Sequence, residues 1–170
     1  MKHVFAWALL VTGSGWARPY RDAVCQVQFP GLYARQGPVA SAALPHVRLY
    51  VISWSTPPSQ ATALLAQLYR SANNRGQNCQ FVTKNRAEGL QIVETLPFQK
   101  TQSQYFLAAG VCYEFRACTD DNSKHPEVNA FFNSLRFRAR TINLKRALTT
   151  SSVPARPASY SSGPAKPYEF

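Results

Sequence analysis

The hydrophobic pattern of this chain changes period between neighbouring segments, and that change limits what it can fold into more than any other feature. From Val24 to Phe29, Cys25, Val27 and Phe29 alternate with Gln26 and Gln28, the two-residue repeat of a half-buried strand, and Pro30-Gly31 ends the run with turn chemistry. His46 to Trp54 reads as a second strand, apolar on both faces as a central position in a covered sheet requires. The period then becomes helical. Ala61, Leu64, Leu65, Leu68, Tyr69 and Ala72 share one helix face, with Thr56 expected as N-cap, Pro57 at the first position and Gly76 as the stop. Strand spacing returns at Asn78 to Thr83 and Leu90 to Leu96, around a polar turn at Lys84 to Gly89, and one long strand is expected from about Gln104 to Ala117. Leu32 to Leu44 is small and matches neither period.

A second, shorter helix is expected after Asp120-Asp121. Pro126 suits its first turn, and Val128, Phe131, Phe132 and Leu135 make one apolar stripe, which is core. Arg136 to Thr141 then reads as an amphipathic closing strand, with Arg136, Arg138 and Arg140 alternating with Phe137 and Ala139. The fold class is therefore α+β: a largely antiparallel sheet covered by two helices, an α/β/α sandwich. With 170 residues and 45% hydrophobic content, the chain can bury one core of ordinary size.

Both ends differ in character from the middle. Lys2, the apolar run Val4 to Val11, and the small residues Gly15 and Ala17 have the form of a signal peptide cut before Arg18, so residues 1–17 are expected to be a signal or anchor. The run is shorter than the ~20 residues that span a bilayer. Residues 18–147 form the expected domain. Residues 148–170 form a tail rich in Pro and Ser that has almost nothing to bury. The tail holds two copies of a P-A-basic-P unit, Pro154 to Pro157 with Arg156, and Pro164 to Pro167 with Lys166, each followed by an aromatic, Tyr160 and Tyr168. Such segments favour polyproline II and dock on partners at low ordering cost.

Cysteine usage fits export. Cys25, Cys79, Cys112 and Cys118 are an even set, for which two disulfides are the expectation in an oxidising compartment. On one strand, Cys112 and Cys118 would lie about 20 Å apart at ~3.3 Å per residue, so each is expected to pair with Cys25 or Cys79. A metal set of Cys112, Cys118 and His125 matches no common zinc spacing. Neither a cofactor motif nor a catalytic signature stands out. His3 leaves with a cleaved signal, His46 begins a strand, and His125 beside Pro126 is expected to cap the second helix. A nucleophile drawn from Cys112 or Ser53 has no local motif around it.

The charge is more informative. Nineteen Lys and Arg against eight Asp and Glu give a net charge of +11, which points to anionic partners. Arg136, Arg138, Arg140, Lys145 and Arg146 put five cations in eleven residues without an acid. An arginine fork suits carboxylate or phosphate. Phe137 is the one aromatic in that run, which is too few for a nucleic-acid stacking platform, and export also argues against nucleic acid.

The order of elements, with V-x-F-P-G at Val27 to Gly31 and F-x-x-S-L-R-F at Phe131 to Phe137, resembles the PsbP-like α/β/α sandwich family, which includes photosystem II extrinsic subunits and many bacterial exported proteins. The resemblance implies a non-enzymatic accessory role and transfers no site residue. The expected function is that of an exported accessory subunit docking on a larger protein assembly or an anionic envelope or membrane surface, through the basic strand and the tail. The alternative is a small-ligand binder or hydrolase-like enzyme using a cleft between sheet and helix, containing His46 or Cys112.

Overall fold

A computed structural model describes residues 18–139, 141–142 and 144–146. The signal segment 1–17, Arg140 and the tail from 147 lie outside the described residues. The strands are β1 (Arg18–Arg21), β2 (Cys25–Phe29), β3 (Ala34–Gln36), β4 (Val39–Leu44), β5 (Val47–Ser55), β6 (Asn78–Lys84), β7 (Ala87–Leu96), β8 (Gln99–Ala108), β9 (Val111–Thr119) and β10 (Arg136–Phe137). The helices are α1 (Pro58–Asn74) and α2 (Pro126–Asn133). Seven strands form one antiparallel sheet in the order β3-β4-β5-β9-β8-β7-β6, and β1-β2-β10 form a small second sheet. The expected mixed α+β class with a large antiparallel sheet is what the chain adopts.

Helix α1 carries the chain from β5 to the far edge strand β6, and the meander β6 to β9 then returns to pair with β5. Because side chains alternate across a strand, β9 sends Tyr113, Phe115 and Ala117 to one face and Cys112 and Glu114 to the other. The first face packs Val27, Phe29, Phe115, Phe131 and Leu135 in one cluster against the small sheet and α2. Its aromatic contacts include Phe29 with Phe131 at 5.3 Å and Phe106 with Phe137 at 4.9 Å between ring centres. The second face packs Leu90, Leu107 and Cys112 against Ala61 and Leu65 of α1 and against Leu144. Helix α1 thus lies against the second face, whereas the first is covered by the small sheet and α2 together.

Several expectations need correction. Leu32 to Leu44, which showed no period, forms the β3–β4 hairpin, with Ala40 and Ala42 buried. The long strand expected from Gln104 to Ala117 is the β8–β9 hairpin, turning at Ala109 (φ 50°) and Gly110 (φ 75°). Two successive positive φ values match the right-handed twist of the flanking strands, as they do at Asn85-Arg86 between β6 and β7. The N-cap of α1 is Pro57 and its first residue Pro58, one position later than expected, because the Thr56 N–H still donates to the Gly110 carbonyl at 3.3 Å. At the other end Gly76 (φ 68°) donates to Asn73 and Gln77 to Ala72, a paired cap that needs a left-handed residue, so the predicted stop holds.

The closing strand is shorter than the expected Arg136 to Thr141. Only Arg136 and Phe137 pair with β2, after which the Arg138 N–H donates to the Val24 carbonyl. The N-terminal end of β2 is turned by Asp22, whose Oδ1 accepts from the N–H groups of Val24 and Cys25 at 2.7 Å each. Thr141 then bridges Ala108 of the large sheet.

Gly89 sits where β7 approaches the fully buried Phe106. A Cβ there would lie 2.5 Å from the Phe106 ring and 2.7 Å from the Tyr105 carbonyl oxygen, and neither can retreat inside a packed core. Gly89→Ala is expected to lower stability by about 2 kcal/mol, seen as an earlier urea midpoint with an unchanged slope.

Candidate functional site

In the small sheet, Arg21, Gln26 and Arg136 are register partners across all three strands, and parity places them on the face away from the core. The inward positions are Tyr20, Cys25, Val27 and Phe137. The Gln26 side-chain carbonyl accepts from Arg21 Nε and Nη2 at 3.2 and 3.0 Å, and from Arg138 Nη2 at 3.3 Å. Arg136 Nη1 donates to the carbonyls of Asn133 and Leu135 at 2.7 and 2.8 Å. Lys84 joins this side by donating to Asn133 Oδ1 at 2.9 Å, and burial, then the neighbouring Arg136 charge, lowers its pKa. None of the outward positions of these strands holds an acid: Asp22 turns inward.

Asp22 fixes the sheet to the rest of the molecule. Its Oδ2 accepts from the Tyr113 hydroxyl of β9 at 3.0 Å and the Tyr20 hydroxyl at 3.2 Å. Burial alone would raise the carboxyl pKa, but the Cys25 and Val24 N–H groups and then the two phenols outweigh it and hold it below the usual value. Burial, followed by the Asp22 charge, pushes Tyr20 up to about 12. A depressed carboxylate stabilises the fold above its unfolded pKa, and the contribution is lost as pH falls through the folded value. Asp22→Asn is therefore expected to be less stable at pH 7 and to lose less stability than the wild type between pH 5 and 2 in acid titrations followed by circular dichroism.

The predicted basic stripe is divided. Arg136 and Arg138 lie exposed on the outer face of the small sheet, whereas Lys145 and Arg146 are exposed on the helical turn at 144–146, whose Leu144 packs in the cluster beneath α1. Arg140 falls outside the described residues, as do the tail positions Pro154, Arg156, Pro157, Tyr160, Pro164, Lys166, Pro167 and Tyr168. Arg21, Gln26 and Lys84 were missed in the sequence, since their place beside Arg136 follows from register and not from spacing.

The expected disulfides are not formed: all four thiols are free in this structure. Cys25 lies in the cluster under the small sheet, while Cys112 lies in the cluster beneath α1, on the other face of the large sheet. Cys79 of β6 and Cys118 of β9 have two strands between them, about 14 Å at ~4.8 Å per strand, beyond the ~7 Å that a disulfide spans. Burial, then the Glu114 charge, pushes the Cys112 thiol up to about 12, and burial with Asp22 raises Cys25. In the reduced native protein at pH 8, Cys79 and Cys118 are expected to react with a thiol reagent at least tenfold faster than Cys25 and Cys112, and rapid modification of all four would contradict this arrangement.

His46 takes a positive φ of 64° in the exposed turn between β4 and β5. His125 does occupy the N-cap of α2, yet its ring makes no cap: Nε2 lies 2.8 Å from Asp121 Oδ1. Asp120 pairs with Arg48 at 3.2 Å. Among the described residues no group of three His, Cys, Asp or Glu converges, and no helix is long and apolar enough to cross a membrane.

No family model matches the chain, and no curated protein matches it. A crystal structure of a protein from Bacteroides thetaiotaomicron VPI-5482 superposes on 67% of this chain with a TM-score of 0.50 at 8% identity. The match spans 45% of that protein's chain, and the likeness is one of fold.

Proposed function

We propose that this protein is a non-catalytic, exported accessory subunit that docks on a carboxylate-rich face of a larger protein through the outer surface of its small sheet. The observation that carries the reading is the way the arginines are held. Arg21 and Arg138 share one glutamine carbonyl and Arg136 is fastened to two backbone carbonyls, so guanidinium groups are fixed in place with no acid among them. Side chains immobilised before binding lose little entropy on contact, and an arginine fork is selective for planar oxyanions. A fluid lipid surface would gain little from such fixed geometry, whereas carboxylates at set positions on a folded partner gain much. The motif likeness of Val27 to Gly31 and Phe131 to Phe137 to PsbP-like proteins points the same way, as does the signal-like segment 1–17. The Pro-rich tail would then serve as a second, adaptable contact.

The test is affinity capture from the native source with the full chain, with the Arg21→Glu/Arg136→Glu/Arg138→Glu variant, and with a chain ending at Arg146. The wild type should retain a defined protein that the triple variant binds at least tenfold more weakly, since reversed charges at an interface cost several kcal/mol. Equal retention would remove the small sheet from docking, and transfer of binding to anionic vesicles would reassign the partner to membrane. A loss confined to the shortened chain would place the contact in the tail.

A further inference from the structure

The opposite face of the large sheet holds a different arrangement. Helix α1 packs over β6, β7 and β8. Beyond its C-terminal cap, the sheet and the cap residues line a half-open cavity of about 350 Å³, within the range that small ligands occupy. Its floor includes Ile92 of β7, Ser103 and Tyr105 of β8 and Arg116 of β9, and Leu68 and Arg75 of α1 and its cap also line it.

Beside these residues, on the same face of the sheet, Glu114 is buried, with its side chain 7% exposed. One carboxylate oxygen, Oε1, accepts from Ser103 Oγ at 2.9 Å, the Tyr105 hydroxyl at 3.0 Å, and Arg116 Nε and Nη2 at 2.8 and 2.7 Å. The same strand faces carry Leu90 and Leu107, so an apolar residue at 114 would fill this place without the desolvation that an ionised carboxylate suffers. What Glu114 supplies is orientation. It takes the Nε–Nη2 edge of the Arg116 guanidinium, while the Arg116 side chain, 39% exposed, lines the cavity.

The cap of α1 brings the second guanidinium. Arg75 Nε donates to the Ser71 carbonyl at 3.3 Å, and Gln77, two residues on, donates from Nε2 to Glu94 Oε1 at 2.7 Å. Arg75 and Gln77 both line the cavity, on either side of Gly76. The charges balance: Arg75 and Arg116 against Glu94 and Glu114. A single added negative charge is tolerated by such a site far better than two, and Leu68 and Ile92 present apolar surface for the remainder of a ligand.

We infer that this cavity is a binding site for a small organic monocarboxylate, received by the Arg116 and Arg75 guanidinium groups, with a short apolar body against Leu68 and Ile92. The site stands on the face of the large sheet away from the arginine-bearing small sheet, and it holds whether or not that sheet docks on a protein. The cleft differs from the one expected in the sequence, since neither His46 nor Cys112 lines it.

The full isotope-labelled chain would be titrated by NMR with butanoate, hexanoate and benzoate, and in parallel with the matching amides and with inorganic phosphate. Saturable shifts are expected at the amides of Ser103, Arg116 and Gln77 with at least one carboxylate, and binding about tenfold weaker or worse for its amide and for phosphate. Arg75→Ala, at an exposed position, and Arg116→Lys, which keeps a cation beside Glu114, should each weaken carboxylate binding about tenfold while thermal unfolding stays near that of the wild type. The proposal is overturned if no carboxylate gives saturable shifts at those amides, if amide or phosphate binds as tightly, or if both variants bind like the wild type.

Discussion

The antiparallel pairing of β5 with β9 joins the two halves of the chain, and every other feature of the molecule hangs on it. Nine residue pairs, from Val47 with Thr119 to Ser55 with Val111, bring the N-terminal hairpins against the C-terminal meander. Alone, neither half has the complete sheet, and the core against the small sheet and α2 draws on both. Once the pairing is made, alternation along β9 supplies both cores at once: Phe115 beneath the small sheet, Cys112 beneath α1. The contact is long-range in sequence, and α1 is what spans the gap by crossing from the centre of the sheet to its edge.

The small sheet is attached by chemistry of another kind. Three strands, one of them only two residues long, bury too little to hold themselves. The apolar inner side of β2 supplies adhesion, and Asp22 supplies position, since one carboxylate ties the β1–β2 turn to itself and to Tyr113 of the large sheet. A carboxylate surrounded by four donors stays ionised at neutral pH, so the attachment holds across the range in which most proteins work.

Much of this was legible in the residues. Strand β2, strand β5, the apolar face of α1, its glycine stop and the stripe of α2 all follow from period and punctuation. The hairpin β3–β4 was not, because its buried side chains are Ala40 and Ala42, and alanine contrasts weakly with Ser41 and Ala43 on the other side. The β8–β9 turn was hidden by Ala109, an unusual residue for a positive φ, inside an apolar run. The basic closing segment was visible as charge, but its division between two faces depends on where β2 ends, which no local pattern reports. The cavity did leave a trace: Glu114 and Arg116 are opposite charges at same-face spacing within an otherwise apolar strand. Their partners, Arg75 and Gln77, come from a different element and needed the crossover to be known.

The paired cap at the end of α1 has a consequence for how sequences of this kind can vary. It points Arg75 and Gln77 at the cavity because the helix ends after a set number of residues from Pro58. One inserted residue would rotate that end by about 100° around the helix axis and carry both side chains away from the sheet. Substitutions on the exposed side of α1 are therefore free to drift, whereas its length is not. In relatives that keep the cavity, the interval from Pro58 to Gly76 should be fixed more firmly than most of the residues within it.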